Sequence, residues 1–387
     1  MIKRTSILFL FLTALQLLAT PFKVATWNIN SDRRAEEGTN IDRLFEGRFK
    51  LETRINAIMQ TIKDEKPELL FLQEIDPQGW DKVYEALKAE GYHVHKTPYN
   101  ANEKAFWLMT AINPGRFKFL DNGTHSLVNP QLLDPEQLHN VKNHEGNLNT
   151  DFHKMVAYAK IKDLKEGREF FTFNTHLGIT WEHKVRATNE LISTIREIAK
   201  GEPSLLAGDF NSFSDELLKE DTEVTVKYSM VPLKTQFDTL MSHMKTADLN
   251  SMTQKNDDSL HVLNHDGSAM LPSSFVFYLY DFKKGTLSGP DFVLHQEILD
   301  GKSQLSEDKQ REFLITKLGN RYPFSGRFDH IFGQGFSEVP GTARIVIEDI
   351  YRYNPFKLAE DMLDGVIPPS DHLMLATMVD FAVQSND

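Results

Sequence analysis

Carboxylates, carboxamides and histidines stand at the ends of several apolar runs in this chain, where a buried strand end has no structural need for them. They are Asn28 in VATWN, Glu74 in LLFLQE, His176 in FFTFNTHLG, Asp209 and Asn211 in LLAGDFN, Asp329 in RFDHIF, and Asp371 and His372 in PPSDHLML. Strand ends are where a rigid sheet presents functional groups to a shared cleft. We therefore expect these side chains to meet at one site.

The residue types in this set suit a hard divalent cation and an activated water molecule. Mg²⁺ binds carboxylate and carbonyl oxygens and keeps several water ligands, and Glu74 and Asn28 offer such oxygens. An imidazole and further carboxylates can activate water and stabilise charge that develops on phosphorus. Zinc is disfavoured, because the histidines lack the spacing of a ligand set and the chain has no HExxH or paired-cysteine pattern.

Each of these motifs also has an ordinary structural interpretation when it is taken alone. A glutamate after an apolar strand is commonly a solvated strand end, and GDFN could be a turn in which Gly and Asn serve the backbone. SDH could be a turn that satisfies free amides, and His176 could be a hydrogen-bonded core histidine. The occurrence of all of them, in this order and each at a strand end, favours a shared active site.

Short apolar runs rich in β-branched and aromatic residues predict the strands that would position this set. The predicted strands are 22–29, 68–75, 155–161, 169–177, 204–210, 328–332, 344–350 and 373–381. Apolar residues at helical spacing predict helices over 55–62, with Pro67 at the exit, and over 187–198. Strands and helices alternate in the first two-thirds of the chain, which predicts an α/β or α+β fold.

The chain has 387 residues without a Gly/Ser-rich or Pro-rich linker, so we expect one catalytic domain over 21–387. Lys3 and Arg4 precede an apolar run over 7–18. This pattern predicts a signal peptide over 1–20 and a secreted or periplasmic protein, with a short membrane anchor as the alternative. Two stretches, at about 122–152 and 250–327, look like elaborations of the domain, and the second contains an aromatic-rich run at 275–282.

The composition excludes some kinds of chemistry. The chain has no cysteine, which excludes thiol catalysis and cysteine-ligated metal sites and fits an exported bacterial protein. The formal net charge is −12 and no clustered Lys/Arg stretch is present. Both features disfavour extended nucleic-acid binding, which relies on basic residues against phosphates. We expect a monomer that acts on a phosphoester substrate.

The ordered set WN, LQE, NTHLG, GDFN, DHIF and SDH resembles the endonuclease/exonuclease/phosphatase superfamily, which includes pancreatic deoxyribonuclease, bacterial sphingomyelinases and inositol polyphosphate phosphatases. The resemblance spans residues 22 to about 383, and the run over 160–178 is similar to secreted bacterial members. It implies a four-layer α/β/β/α sandwich of two packed mixed β-sheets. It also implies a Mg²⁺-dependent phosphoesterase, with Mn²⁺ or Ca²⁺ as alternative ions, in which water attacks a phosphodiester or phosphomonoester in line.

The resemblance implies a role for each matched residue. Glu74 would be the principal Mg²⁺ ligand, and Asn28 would lie beside the metal. His372 would be the general base or proton-handling group, held in the right tautomer by a neighbouring acid. His176 would hydrogen-bond the scissile phosphate and stabilise its developing charge.

Four further residues complete the implied site. Asn211 would orient the attacking water or the phosphate, and Asp209 would bind that water or a second metal ion. Asp329 would support His372, whereas Asp371 would face the metal or solvent. The superfamily varies in which acid orients the histidine and which one activates water.

Three features depart from the superfamily pattern or add to it. His330 stands where many members have tyrosine, and strand alternation points it away from Asp329, which predicts a packed core residue. The run AFWLMTAI lacks the tyrosine that nuclease-like members use near phosphate. Arg186 could reach substrate from the start of its helix or lie on a solvated helix face.

The sequence leaves the substrate open. A phosphorylated metabolite, a sugar phosphate or an inositol phosphate fits an exported enzyme. A sphingomyelinase-like enzyme would bind a membrane-surface lipid through an exposed aromatic element, and 275–282 is the candidate, although a buried strand is favoured there. A nuclease is a further alternative. From a different class, a catalytically silent binding protein or toxin subunit on the same scaffold is disfavoured, because every site position carries a matching residue type.

Overall fold

The computed structural model describes residues 20–30, 50–75, 80–98, 107–127, 154–177, 181–210, 261–262, 293–294, 297, 302–306, 309, 329–346, 367, 369–370 and 372–382. The predicted signal peptide up to residue 19, most of the 250–327 elaboration with its aromatic-rich run, Asn211 and Asp371 lie outside these residues. None of the helices in the described part combines the length and apolar character that crossing a bilayer requires.

Described strands and helices alternate at the start of the chain, and five consecutive strands then precede the third helix. In chain order they are β1 (Phe22–Asn28), α1 (Leu51–Glu65), β2 (Leu69–Ile75), α2 (Trp80–Ala89), β3 (His93–Pro98), β4 (Trp107–Ile112), β5 (Phe117–Ser126), β6 (Met155–Asp163), β7 (Glu169–His176), α3 (Trp181–Ala199), β8 (Ser204–Asp209), β9 (His261–Val262), β10 (Asp329–Gln334), β11 (Phe336–Glu338), β12 (Arg344–Val346) and β13 (Met374–Phe381).

These strands form two mixed sheets. The first has the order β11–β13–β1–β2–β4–β3, with β12 also paired to β13, and the second has the order β5–β6–β7–β8–β10–β9. Pairing is parallel between β1 and β2 and between β7 and β8. The remaining pairs of described strands are antiparallel. The two sheets pack face to face with helices outside, so the predicted four-layer α/β/β/α sandwich is confirmed.

Each parallel pair belongs to a βαβ unit, because parallel neighbours need a crossover connection and a helix can supply it. α1 connects β1 to β2, and α3 connects β7 to β8. The apolar stripes predicted from sequence lie in the two outer cores, with Ile58 of α1 against Leu70 and its neighbours and Leu191 of α3 against Leu206 and its neighbours. α1 ends at Glu65 and is followed by Lys66 in the left-handed conformation, directly before Pro67.

The core between the sheets is aromatic at one end of the sandwich. We call Phe22, Phe117, Phe170, Phe336 and Phe381 the aromatic cluster. Phe170 lies at its centre, with ring centroids 5.9, 5.7, 5.4 and 5.7 Å from those of the other four in that order. Phe22 begins β1 and Phe170 lies near the start of β7. Both strands therefore run from the aromatic cluster to the opposite end of the sheets, about 20 Å away at ~3.3 Å per residue.

All the predicted strands are present, with ends that differ by a few residues where the described part allows comparison. β5 is different, because its residues 121–125 are mostly polar and those from 122 onward lie in the predicted 122–152 elaboration. The structure pairs this segment with β6, from Phe117 opposite Asp163 to Ser126 opposite Met155, with a register shift between Phe119 and Asp121. The β conformation of this segment therefore comes from its pairing with β6, and residues 122–126 belong to the second sheet.

Candidate active site

The polar residues singled out from the sequence lie at one end of both sheets. The carboxyl ends of parallel strands meet at the same edge of a sheet. Asn28, His176 and Asp209 are the last residues of β1, β7 and β8, and Glu74 is the last residue but one of β2. Two βαβ units thus place these four side chains at a single edge of the sandwich.

The antiparallel neighbours of these strands begin where the parallel strands end. Asp329 is the first residue of β10 and lies directly opposite Asp209 in the ladder, and His372 lies two residues before β13. His372 Nδ1 is 2.8 Å from Asp329 Oδ2, and both side chains are buried. An ionised Asp329 accepts the hydrogen bond from Nδ1–H, which leaves Nε2 of a neutral His372 ring as a proton acceptor.

Asp209 lies at the centre of the site and joins the two sheets. Its Oδ2 accepts a hydrogen bond of 2.9 Å from Asn28 Nδ2 in the first sheet. The same oxygen is 3.5 Å from His176 Nε2 and 3.8 Å from His372 Nε2. Asn28 Oδ1 accepts the Asn30 backbone amide at 3.0 Å. Asn28 therefore orients Asp209 through Nδ2 of its carboxamide and the following loop through Oδ1.

Glu74 reaches the site from an irregular position in its strand. Its backbone φ is +56°, in the left-handed region that glutamate rarely adopts. The side chain is 5% exposed, and Oε1 lies 3.6 Å from His176 Nε2. Oε2 is buried and makes no hydrogen bond to any residue that the structure describes. Backbone strain of this kind clusters at functional sites, where the surrounding structure maintains it.

Side-chain hydrogen bonds of Trp27 and Ser370 fix two loops next to the site, and those of Ser370 include the SDH turn that the sequence also allows. Trp27 Nε1–H donates to the His372 carbonyl at 2.9 Å. Ser370 Oγ donates to the Asn28 carbonyl at 2.7 Å and accepts the His372 amide at 3.2 Å. Both residues belong to motifs quoted from the sequence, WN and SDH, and in the structure their side chains hydrogen-bond to the backbone of these loops.

Arg54 of α1 is a buried cation that holds the same two loops. It is 1% exposed, and its NH1 donates to the Ile29 carbonyl at 3.0 Å and to the Pro369 carbonyl at 2.6 Å. Its NH2 donates to the Asn30 carbonyl. Arg54 therefore ties the segment after Asn28 to the segment before His372. The helical periodicity of α1 gave no sign of this contact, because an arginine on a helix is expected in solvent.

The residues present at the site fit a divalent cation. Ligand atoms of Glu74, His176 and Asp209 lie within 4.8 Å of one another, and the same holds for Asp209, Asp329 and His372. Three buried carboxylates this close carry a large desolvation penalty, which a cation offsets. The buried Oε2 of Glu74, with no hydrogen bond to the described residues, is an oxygen donor of the type that Mg²⁺ prefers.

Of the residues predicted from sequence, the structure brings together Asn28, Glu74, His176, Asp209, Asp329 and His372. Arg186 lies in α3, but its side chain is outside the described part of the molecule, as are Asn211 and Asp371. His330 is buried, with its ring centroid 5.9 Å from that of Phe210 and 6.0 Å from that of Phe332. It is the packed core residue that strand alternation predicts.

The sequence matches the model of the Endonuclease/Exonuclease/phosphatase family over residues 25–372. No curated protein matches it significantly. The interval matched by the family model begins inside β1 and ends at His372, so it contains the second sheet, the first sheet apart from β13 and the start of β1, and every one of the clustered site residues.

Solved structures share the fold over nearly the whole chain. An endonuclease/exonuclease/phosphatase from Bacteroides vulgatus is 14% identical, covers 94% of this chain and 100% of its own, and has a TM-score of 0.56. A mannosyl-6-phosphatase from Bacteroides thetaiotaomicron is 14% identical, with 93% and 100% covered and a TM-score of 0.51. ANGEL2, a 2′,3′-cyclic phosphatase, is 14% identical, with 94% and 97% covered and a TM-score of 0.59. At these identities the likeness shows a common fold.

Proposed function

This chain belongs to the endonuclease/exonuclease/phosphatase family, and from that premise we propose that it is a metal-dependent hydrolase of phosphoester bonds. The observation that carries the proposal is the buried His372–Asp329 pair, with 2.8 Å between Nδ1 and Oδ2, beside the carboxylates of Asp209 and Glu74. A histidine held by an acid suits proton transfer, and clustered buried carboxylates suit a divalent cation.

In this proposal His372 is the general base. The oxygen of a water molecule attacks phosphorus, a proton of that water passes to His372 Nε2, and the bond between phosphorus and the leaving oxygen breaks. Asp329 holds the ring through Nδ1 and stabilises the imidazolium that forms. Asp209 Oδ2 lies 3.8 Å from Nε2, close enough to accept the other proton of the same water molecule in a hydrogen bond.

His176 contacts the phosphate in this proposal. Its Nε2 lies 3.6 Å from Glu74 and 3.5 Å from Asp209, between the two acids of the site. From that position it donates a hydrogen bond to a phosphoryl oxygen and stabilises the negative charge that develops there. On the family resemblance, Asn211 would orient the water or the phosphate, and Arg186 would contact the substrate from α3.

Glu74 and Asp209 would hold the divalent cation, with Asn28 beside Asp209 and Asp371 facing the metal or solvent. We propose Mg²⁺ as this ion, with Mn²⁺ or Ca²⁺ as alternatives, because the donor set is rich in hard oxygens. When bound, the cation polarises a phosphoryl oxygen and stabilises the leaving oxygen. The buried Oε2 of Glu74 supports this assignment.

The proposal predicts that Glu74→Gln and His372→Ala each lower turnover by roughly 10²-fold or more, because each removes a group that acts in the transition state. Turnover would be measured on purified protein with p-nitrophenyl phosphate and bis(p-nitrophenyl) phosphate, in Mg²⁺ and in EDTA. EDTA should abolish turnover and added Mg²⁺ should restore it. Circular dichroism would show that both variants remain folded.

Matched controls are Glu52→Gln and His125→Ala, which make the same kinds of change outside the clustered site residues. Glu52 is an exposed residue of α1, and His125 Nε2 lies 3.1 Å from Oε1 of Glu190 in α3. Both controls should keep wild-type turnover. Wild-type turnover in Glu74→Gln or His372→Ala, or full activity in EDTA, would overturn the proposal. Inositol phosphates, sphingomyelin, DNA and RNA, assayed in parallel, would assign the substrate class.

We propose also that the protein is exported, on the strength of Lys3, Arg4 and the apolar run over 7–18. Mass spectrometry of the N-terminus would test this on protein from the periplasm or medium of the producing cells. A mature chain that begins near residue 21 is the expected result. A full-length chain confined to the cytoplasm would contradict it.

A further inference from the structure

β2 contains a one-residue bulge directly at Glu74. In the ladder with β4, Leu72 lies opposite Met109, but the next pair is Ile75 opposite Trp107, with a register shift between them. β2 thus advances by one residue more than β4 across this step. The extra residue is at Gln73–Glu74, and Glu74 has a φ of +56°. A bulge of this kind re-aims a side chain relative to the regular strand.

The bulge decides which face of the sheet receives Glu74. Side chains alternate along a strand, and Leu70 and Leu72 lie in the core beneath α1 and α2 whereas Phe71 lies in the core between the sheets. Regular alternation would place Glu74 with Leu70 and Leu72, under the helices. Instead, Ile75 lies in that helix-facing core and Glu74 approaches His176 of the opposite sheet.

The bulge is held from the other sheet by Asn174 of β7. Its Nδ2 donates to the Met109 carbonyl at 2.9 Å and to the Leu72 carbonyl at 3.2 Å, which are the two carbonyls of the last regular pair before the bulge. Its Oδ1 accepts a hydrogen bond of 2.9 Å from Gln73 Nε2, inside the bulge. Asn174 and Gln73 are completely buried.

Gln73 extends this network to β1, a third strand of the first sheet. Its Nε2 also donates to Thr26 Oγ1 of β1 at 3.1 Å. The amide pair therefore joins β1, β2 and β4 of the first sheet to β7 of the second at the level of Gln73, and Asn174 lies two residues before His176 on the same strand. Backbone carbonyls beside completely buried residues need partners, so this network favours the bulged conformation over a regular strand.

We propose that Asn174, with Gln73, is a positioning residue that keeps the Glu74 carboxylate at the site by holding the bulge of β2. The significance of Glu74 as a cation ligand rests on the proposed function, whereas the restraint on the bulge does not. Asn174 contacts neither substrate nor cation in this proposal. It acts through the backbone of residues 72–74.

The test compares Asn174→Leu, which is close in size but has no amide, with Thr172→Val as matched control. Thr172 lies on the same strand and the same face, is equally buried, and donates one hydrogen bond of 3.3 Å to the Ala159 carbonyl. Hydrogen exchange in metal-free protein would be followed for the segment 69–75. Mn²⁺ binding would be measured by electron paramagnetic resonance.

Asn174→Leu should raise exchange in segment 69–75 and weaken Mn²⁺ binding by about tenfold, the usual effect of removing a group that orients a ligand. Thr172→Val should leave both readouts near wild type. If Asn174→Leu does not fold, Gln73→Met removes the amide inside the bulge and should give the same pattern in weaker form.

Unchanged exchange in segment 69–75 of Asn174→Leu, or an equal increase in Thr172→Val, would overturn the proposal. Unchanged Mn²⁺ affinity with increased exchange would also overturn it, because the bulge would then not position Glu74. If wild-type protein binds no Mn²⁺, Mg²⁺ or Ca²⁺, the proposed function fails, and the exchange measurement still decides whether Asn174 holds the bulge.

Discussion

At the scale of single residues, the site consists of buried acids whose carboxylate oxygens lie within 4 Å of the rings of two histidines. Asp209 Oδ2 contacts Asn28, His176 and His372 at 2.9, 3.5 and 3.8 Å. Asp329 makes one short contact, to His372, and its Oδ1 has no hydrogen-bond partner in the part of the chain that the structure describes. The two acids therefore differ in role. Asp329 hydrogen-bonds His372, whereas Asp209 lies between Asn28 and both histidines.

This difference predicts that Asp329→Asn lowers kcat by about 10²-fold or more, because an amide neither fixes the tautomer of His372 nor stabilises its imidazolium form. Steady-state kinetics at saturating Mg²⁺ would measure the loss. Asp380→Asn is a suitable control, since Asp380 lies near the end of β13 that is remote from His372. A kcat for Asp329→Asn close to that of the control would show that Asp329 does not support the base.

At the scale of elements, the βαβ units and their antiparallel neighbours determine where the site lies. The parallel ladder places His176 beside Asp209, and the antiparallel ladder places Asp329 on the other side of Asp209. This close pairing depends on Gly208, because a Cβ at that position would overlap the carbonyl oxygen of Thr175 on β7. The residue directly before Asp209 must therefore be glycine for β8 to pair with β7 in this register.

Gly208→Ala should destabilise the protein by about 3 kcal/mol, the order of magnitude of overpacking against backbone. A decrease in Tm of roughly 5 °C or more, measured by differential scanning calorimetry, is the corresponding shift. Gly115→Ala is the matched control, because its Cβ would meet only the Asn113 side-chain oxygen at 3.1 Å. Equal Tm values for the two variants would contradict the predicted overlap at β7.

At the scale of the whole molecule, stability and chemistry are concentrated at opposite ends of the same inter-sheet layer. The aromatic cluster fills one end, whereas the buried acids, amides and histidines occupy the other. The amide network of Asn174 and Gln73 lies next to Glu74 and His176, so the polar layer extends inward from the site. The apolar end can supply folding free energy without contributing to the catalytic groups.

Phe170→Ala should therefore cost about 3–5 kcal/mol of stability, as expected for a buried phenylalanine, and leave kcat unchanged below the unfolding transition. Urea denaturation and kinetics at a temperature well below Tm would measure the two effects. Leu120→Ala provides the control, because Leu120 is 42% exposed on β5 and should change stability little. A large loss of kcat in folded Phe170→Ala would mean that the two ends of the sandwich are coupled.

Much of this architecture could be predicted because hydrophobic pattern and residue type are local properties of a chain. The apolar runs predicted β1, β2, β6, β7, β8, β10, β12 and β13, and helical periodicity predicted α1 and α3. β5 shows where that reasoning fails. Its segment 121–125 is polar, and its strand conformation depends on pairing with β6, which the sequence of β5 does not encode.

The sequence by itself determined the fold class and which residues make up the candidate site. The types and order of these residues are visible without coordinates: Asn28, Glu74, His176, Asp209, Asp329 and His372. Asp329 lies beside His372 as the resemblance implies, whereas only the tertiary structure decided that Asn28 orients Asp209. The residues of these contacts are 43 and 181 positions apart. It also decided that a bulge turns Glu74 toward the opposite sheet. The cause is that the register between β2 and β4 and the hydrogen bonds of Asn174 arise only in the packed fold.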